Sequence, residues 1–280
     1  TRDFFQMAGR AGRRGIDDKG YVYVRVSPHD IEFAEIERML AAKFEPVQSQ
    51  FRPSYATLLN LYEKYGDRLT DIYPLSFHCF QQGKNNQKRA VAAMRGRVQV
   101  LKRLGFIEDN TLTPKGHFGK RVYGYELALT EFYMRGIMEG LTEEELVVLA
   151  VGLVYEPRKL RGDYSFHPMS RQLLRHTRRI MGQIWAAERD AGVIPPSKEF
   201  YFYLTETLIS WIRGEPFADS MIHTDASEGE VIRYYRMAVQ MLRELADAPV
   251  SAKLKEKLEV AVELLNRDVV DAARQLMAGL

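Results

Sequence analysis

The sequence predicts a mainly α fold in three parts: the end of an α/β lobe over residues 1–45, a winged-helix domain over 46–123, and an all-α helical bundle over 124–280. Three observations carry this reading. From Ser54 onward, apolar residues return at three- and four-residue spacing, the period of a helix with one buried face. Within that region only Gly105 to Leu112 reads as strand, polar turn, strand. Ahead of it, Tyr21-Val22-Tyr23-Val24-Arg25-Val26 is a β-branched and aromatic run set between two short helical patterns.

Arg2 to Ala11 reads as a short helix, Tyr21 to Val26 as a strand, Ser27-Pro28-His29-Asp30 as a turn and cap, and Ile31 to Ala42 as a second helix. One strand and two helices cannot close a doubly wound sheet, so further strands are expected upstream and the strand edge is expected to be exposed. A chain that opens on Thr1 is expected to be a piece of a longer protein. Residues 43–53 are polar, contain Pro46 and Pro53, and read as a linker.

In the second part, Ser54 caps a helix with Tyr55, Leu58, Leu59 and Tyr62 on one face. A second helix is expected from Leu69 to Gln82 and a third from Asn86 to Leu104. Leu104-Gly105-Phe106-Ile107, a polar turn, and Leu112-Thr113-Pro114-Lys115-Gly116 then give the wing pattern. Three helices and a small hairpin commonly bind nucleic acid or protein. The third part is helical throughout, with helices expected at 125–139, 143–154, 169–191, 198–213, 228–246, 252–266 and 268–277. Thr142 and Glu145 form a capping box, which makes Glu143-Glu144-Glu145 a first-turn feature and not a catalytic acid box.

Composition excludes more than it asserts. Cys79 is the only cysteine, so no intrachain disulfide or Cys-based metal site is possible, which fits a reducing compartment. No run of eighteen apolar residues occurs. The net charge of +3 says little, but two blocks are strongly basic: Lys84 to Arg103 carries seven Lys or Arg and no acid, and Arg158 to Arg189 carries eight against Asp163 and Glu188. Such blocks fit a phosphate backbone or a solvated helix face. The histidines lack metal-ligand spacing, and Trp185 and Trp211 sit on apolar helix faces as core residues.

The densest chemistry lies in Gln6-Met7-Ala8-Gly9-Arg10-Ala11-Gly12-Arg13-Arg14-Gly15, followed by Asp17, Asp18 and Gly20. Arg10 and Arg13 each follow a glycine, which lets a ligand approach the backbone closely. A planar, permanently charged guanidinium matches a phosphate chain, and two on one triphosphate would stabilise the charge developing in phosphoryl transfer. Gly-Arg tracts also occur in basic nucleic-acid-binding tails, and the bare spacing leaves both open.

The longer pattern Q-x-x-G-R-A-G-R-R-G-x-D-x-x-G resembles motif VI of the superfamily 2 helicases, in particular the superkiller-type DExH-box RNA helicases that serve as exosome cofactors. Phe51-Arg52-Pro53-Ser54-Tyr55, Ser76-Phe77-His78-Cys79-Phe80-Gln81, Leu112-Thr113-Pro114-Lys115-Gly116 and Glu228-Gly229-Glu230-Val231-Ile232-Arg233 resemble later segments of the same family in the same order. There are departures. About twenty residues separate Gln81 from Leu101, so the family's arch insertion is absent. Where the family's ratchet helix often has two consecutive basic residues, this chain has Arg236 and Met237, and Gln240 stands where an acid is frequent. No G-x-x-x-x-G-K-[ST] or D-E-x-H occurs.

The resemblance implies the C-terminal part of an ATP-dependent RNA helicase: the end of a RecA-like lobe, a winged helix, and a ratchet-bearing (DSHCT-type) helical bundle. It implies ATP and Mg²⁺ as cofactors of the parent protein, with none bound, and no ATP hydrolysed, by this chain alone. Arg10 and Arg13 are the implied catalytic fingers, worth about 10³ to 10⁵ in rate; Gln6 and Gly9 complete the nucleotide contact, Arg14 supports local structure, and Asp17 pairs with a neighbouring arginine. The helix at 228–246 is the implied pawl, offering Arg233, Arg236 and Gln240 to the strand, with Tyr234, Met237 and Met241 in the core. The implied partner is single-stranded or partly duplex RNA, or DNA in its place, without a membrane, in the cytoplasm. Two other readings are a repair-type DNA helicase, which usually has Pro where this chain has Arg14, and a non-enzymatic winged-helix nucleic-acid-binding protein.

Overall fold

The computed structural model describes residues 2–13, 15–25, 27, 29, 32–41, 49, 53–157 and 167–272. Arg14, most of the 43–53 linker and residues 273–277 of the last expected helix lie outside them. The chain forms two compact units, Thr1–Gln50 and Phe51–Leu280.

The first unit holds helices α1 (Arg2–Ala8) and α2 (Phe33–Ala41). The first ends earlier than expected. Beyond Ala8 the chain unwinds through Arg10 N–H to Met7 O (3.0 Å) and Ala11 N–H to Ala8 O (3.0 Å), and Gly12 takes a left-handed φ of +78°. Arg10 and Arg13 therefore stand on a turn and not on a helix. Residues 21–25 are not a strand, contrary to expectation; Tyr21, Val22, Tyr23 and Val24 are exposed. A β-branched run becomes a strand only against a hydrogen-bonded neighbour, and among the described residues none pairs with it.

In the second unit, α3 (Tyr55–Tyr65) starts where Ser54 Oγ accepts the Thr57 N–H. The expected second helix is broken. Two 3₁₀ segments, Gly66–Asp71 and Tyr73–Leu75, precede a short α4 (Phe77–Gln81). Pro74 has no N–H to donate back along a continuous α-helix, and Ser76 caps a fresh helix by accepting from Cys79 N. Only Gln82 and Gly83 separate α4 from α5 (Lys84–Arg103), so no insertion occurs there. Strands β1 (Ile107–Glu108) and β2 (Thr111–Leu112) pair antiparallel through a turn in which Asp109 and Asn110 both have positive φ. This is the two-residue hairpin geometry that Asp and Asn tolerate. Helix α6 (Pro114–Gly119) begins at the Thr113 cap, and Gly116 lies so close to Phe106 O that an added Cβ would come within 2.2 Å of it.

Helices α7 (Glu126–Met134) and α8 (Ile137–Gly140) replace one expected helix, because Gly136 turns left-handed (φ +67°) between them. The capping box at Thr142 and Glu145 opens α9 (Glu143–Val154), whose residues from Leu146 onward are all buried. Then come α10 (Pro168–Asp190), α11 (Thr205–Ile212), the short α12 (Phe217–Ser220), α13 (Glu228–Ala246) and α14 (Ala252–Leu265). Residues 198–204 are not helical as expected. Tyr201 N–H bonds to Gly152 O (2.8 Å), and Phe200 and Phe202 are buried, with the Phe202 ring filling the space over Gly152. Among the described residues beyond α14, a 3₁₀ turn spans Asp268–Val270.

One hydrophobic core runs from Tyr55 through Phe106, Phe132 and the apolar face of α9 to Leu265. It spans the α3–α7 region and the bundle without a break. Polar clasps reinforce that junction. Glu188 accepts from Tyr55 OH (2.8 Å), Ser197 N–H (2.8 Å) and Ser197 Oγ–H (2.6 Å). Glu126 accepts from the Ala56 N–H in the first turn of α3 (2.9 Å). Gly96 of α5 sits where a Cβ would be 2.6 Å from Ala191 O, so the helix and the end of α10 touch backbone to backbone.

Candidate nucleic-acid interface

Helix α13 owes its orientation to its apolar half. Val231, Tyr234, Tyr235, Ala238, Val239, Met241, Leu242 and Leu245 are buried, against α9 and α14. Acids at Glu228 and Glu230 favour its N-terminal dipole. Burial pushes the Tyr235 hydroxyl far above its usual range, and among the described residues that hydroxyl has no hydrogen-bond partner. Tyr234 is fixed by its OH, which donates to Glu156 O (2.9 Å), and by an edge contact with Tyr155.

The three residues expected to meet the strand behave differently. Arg233 is exposed; its guanidinium lies 4.7 Å from the Tyr234 ring and donates to the Tyr234 hydroxyl (2.9 Å). Gln240 is exposed, one Nε2–H bonded to Glu244 (3.0 Å). Arg236 is half-buried, with Nε donating to Val270 O (3.0 Å) and Nη2 to Val269 O (2.8 Å). It ties the C-terminal tail to α13. Met237, expected in the core, is 40% exposed and shares with Arg233, Gln240 and Glu244 one stripe at four- and three-residue steps. The signal was present in that spacing: four residues beyond Arg233 and three before Gln240 is the solvent side. Tyr234 and Met241 are buried as expected. Trp211 is fully buried, with its indole N–H on Leu265 O (3.1 Å); Trp185 is half-buried and donates to Ser197 O (2.8 Å).

The arginine motif of the first unit is open. Gln6, Gly9, Arg10 and Arg13 are exposed, and the Arg10 guanidinium meets no partner among the described residues. Asp17 grips Arg13 twice, accepting from Nε (3.1 Å) and from Nη2 (3.3 Å), and also accepts the Arg13 N–H (2.7 Å). Those bonds hold the Asp17 carboxyl below its usual pKa. Gly20 closes the loop from the other side: a Cβ there would lie 2.4 Å from Ala11 O. One free guanidinium and one steered by a single carboxylate fit a phosphate chain. Among the described residues no group of three or more His, Cys, Asp or Glu could hold a metal ion.

The first basic block, on α5, is partly spent on structure. Lys102 pairs with Asp67 (2.7 Å), Arg103 with Asp190 (2.5 Å), and Arg97 donates to Ala93 O. Lys84, Lys88 and Arg95 instead line an open cleft of about 730 Å³ beside Tyr73 and Cys79.

A helical unit with a single core, presenting the polar edge of one otherwise buried helix, defines the class: a helical-bundle domain. The chain belongs to the DSHCT (NUC185) domain family, which matches residues 109–273. It is similar to the human "Superkiller complex protein 2", at 34% identity over 146 residues, 52% of this chain and 10% of that protein. The mouse protein of the same name is 34% identical over 155 residues, 54% of this chain and 12% of that one. The "ATP-dependent RNA helicase mtr4" of Schizosaccharomyces pombe is 27% identical over 231 residues, 76% of this chain and 20% of that protein. The chain thus spans about a tenth to a fifth of the length of these curated relatives. Among the described residues no helix is long and apolar enough to cross a membrane.

Proposed function

We propose that this chain is the C-terminal part of an ATP-dependent RNA helicase, and that α13 is the pawl along which a single RNA strand passes. The observation that carries the reading is the order of its parts: an open two-arginine motif, a helical segment with a hairpin, then the helical unit matched by the DSHCT family. The names of its relatives as RNA helicases point the same way. On this reading residues 1–45 end a RecA-like motor lobe, 46–123 form a winged helix, and 124–280 form the ratchet bundle.

Each residue then has a task. Arg10 and Arg13 reach the transferring phosphate, with Asp17 holding the Arg13 guanidinium oriented until it is needed. Gln6 and Gly9 line the nucleotide's approach. Arg233 and Gln240 contact the RNA backbone, and Met237 between them gives a base an apolar surface to rest on. Arg236 steadies α13 through the tail. ATP with Mg²⁺ supplies the phosphoryl transfer that drives lobe closure. The phosphate loop, the acid box and the Mg²⁺ ligands come from elsewhere in the protein, so the 280-residue chain alone hydrolyses no ATP. The compartment is the cytoplasm.

A gel-shift comparison of single-stranded RNA, single-stranded DNA and duplex DNA at two salt concentrations tests the binding half. Preference for single-stranded RNA, lost in Arg233→Ala/Gln240→Ala, is the expected result; preference for duplex DNA would overturn it. In the intact protein, Arg10→Ala and Arg13→Ala should abolish unwinding while RNA binding persists.

A further inference from the structure

The geometry points to a second RNA-backbone site on α10, a stripe of unpaired arginines distinct from the edge of α13. Arg171, Arg175 and Arg178 follow one another at four- and three-residue steps along the exposed side of the helix, with Arg179 beside them. Four residues span about 6 Å along a helix axis, so the stripe offers guanidiniums over more than two turns. The opposite face, through Leu173, Thr177, Ile180 and Ile184, is buried and fixes which side looks outward.

Three features separate this stripe from an ordinary solvated face. Among the described residues these four arginines have no acidic partner, whereas Lys102, Arg103, Lys115, Lys120 and Arg135 each have one. No acid occurs in α10 from Pro168 to Ala187, although like charges at i and i+4 destabilise a helix. Helix α14, by contrast, mixes Lys253, Lys255 and Lys257 with Glu256, Glu259 and Glu263. Lastly, Gly182 continues the stripe in the helix interior, where glycine is unfavourable. A Cβ there would meet nothing within 4 Å, so no internal contact requires the glycine. The gap it leaves admits a polymer backbone against the helix.

Unpaired guanidiniums with no exposed aromatic ring among them select a polyanion by its phosphates and not by its bases. The site therefore holds RNA without sequence preference. This inference rests on the reading of the chain as an RNA-binding helicase part.

The test is a salt titration of single-stranded RNA affinity for the whole chain, for Arg175→Gln/Arg178→Gln/Arg179→Gln, and for the corresponding triple lysine variant. Losing three phosphate contacts should lower the slope of log affinity against log salt by about 2. Between about 50 and 200 mM salt the glutamine variant should then lose about 20-fold less affinity than the parent. The lysine variant should keep the parental slope, and all three should melt together, since the side chains are exposed. A glutamine variant with the parental slope and affinity would overturn the α10 site, and an acidic protein would then be the partner left for the stripe. If Arg233→Ala/Gln240→Ala weakens binding and the α10 variant does not, the α13 reading stands and this one falls. The reverse result leaves the α10 site standing without the pawl. A parent chain that binds no RNA at low salt removes both.

Discussion

Replacing Tyr55 by Phe tests what holds the hairpin-bearing segment to the bundle. The Tyr55 hydroxyl donates to Glu188, and the two residues are 8% and 1% exposed. Burial, with the Glu188 carboxylate beside it, pushes the phenol's pKa far upward, so the hydroxyl remains a donor at every working pH. Tyr55→Phe removes one hydrogen bond to a charged acceptor in a site closed to water. That costs about 1.5 to 3 kcal/mol. Glu188 keeps its two bonds from Ser197, which caps the loss near that range. For a unit of this size, 1 kcal/mol moves the melting temperature by about 2 to 4 °C, so the expected fall is about 3 to 12 °C. Glu188→Ala strands three donors at once and should cost more, about 3 to 5 kcal/mol. The double variant should resemble Glu188→Ala alone, with a coupling above about 1 kcal/mol. Calorimetry on the four proteins reads all of this. A Tyr55→Phe shift below about 1 °C, or strict additivity, would show that the apolar core alone fixes the junction and the clasp contributes nothing.

Three further outcomes follow from the same contacts. Arg236→Met should cost about 2 kcal/mol and loosen the 268–271 backbone in hydrogen exchange, because Val269 O and Val270 O lose charged donors; Arg233→Ala should leave melting within about 0.5 kcal/mol of the parent. Tyr235→Phe should be neutral or should raise the melting temperature by about 2 to 4 °C, since the deleted hydroxyl is buried without a partner. The carboxyls of Glu63 and Asp67 are held below their usual range chiefly by hydrogen bonds from Lys120 and Lys102. Their contribution is present above the unfolded carboxylate pKa and is lost as pH falls through the lower folded values. Both acids are exposed, so it is small; Glu63→Gln/Asp67→Asn should lower stability slightly at pH 7 and flatten its fall below about pH 4.5, so that variant and parent converge at low pH in melts taken across that range.

Helical periodicity, caps and the hairpin were legible because each is written within a few residues. Ser54, Thr113 and Thr142 cap as read from the sequence; Ser76, read as the interior of a longer helix, and Ser251 cap as well. The misreadings lay where a distant partner decides. The Tyr21 to Val26 run has strand composition but no ladder among the described residues. Residues 198–204 look helical until Gly152, forty-nine positions before Tyr201, offers its carbonyl and the space for Phe202. Arg236 carries the charge expected of a strand contact, and the two carbonyls more than thirty residues away that accept from its guanidinium could not be read from the sequence. The sequence shows which side chains have the chemistry and is silent on which of them the fold has already used.

That distinction also bears on the proposal that α13 is a pawl. A pawl would have to move with its domain and yield little against a strand, so its rigidity would have to come from the face turned away from that strand. Here that face is closed twice over. The apolar row from Val231 to Leu245 packs into the shared core, and polar ties reach outward from its N-terminal half: Tyr234 to Glu156 O, Arg236 to the Val269 and Val270 carbonyls. Arg236 is then more useful as an anchor than as a contact, because a loose tail would free the middle of the helix. The two roles separate in one experiment. Arg236→Lys keeps a charge but cannot span both carbonyls with a planar fork. If Arg236 grips RNA through its charge, the lysine variant should bind RNA normally at any temperature. If it anchors, RNA binding should hold at low temperature and fail early on warming, in step with exchange at residues 268–271.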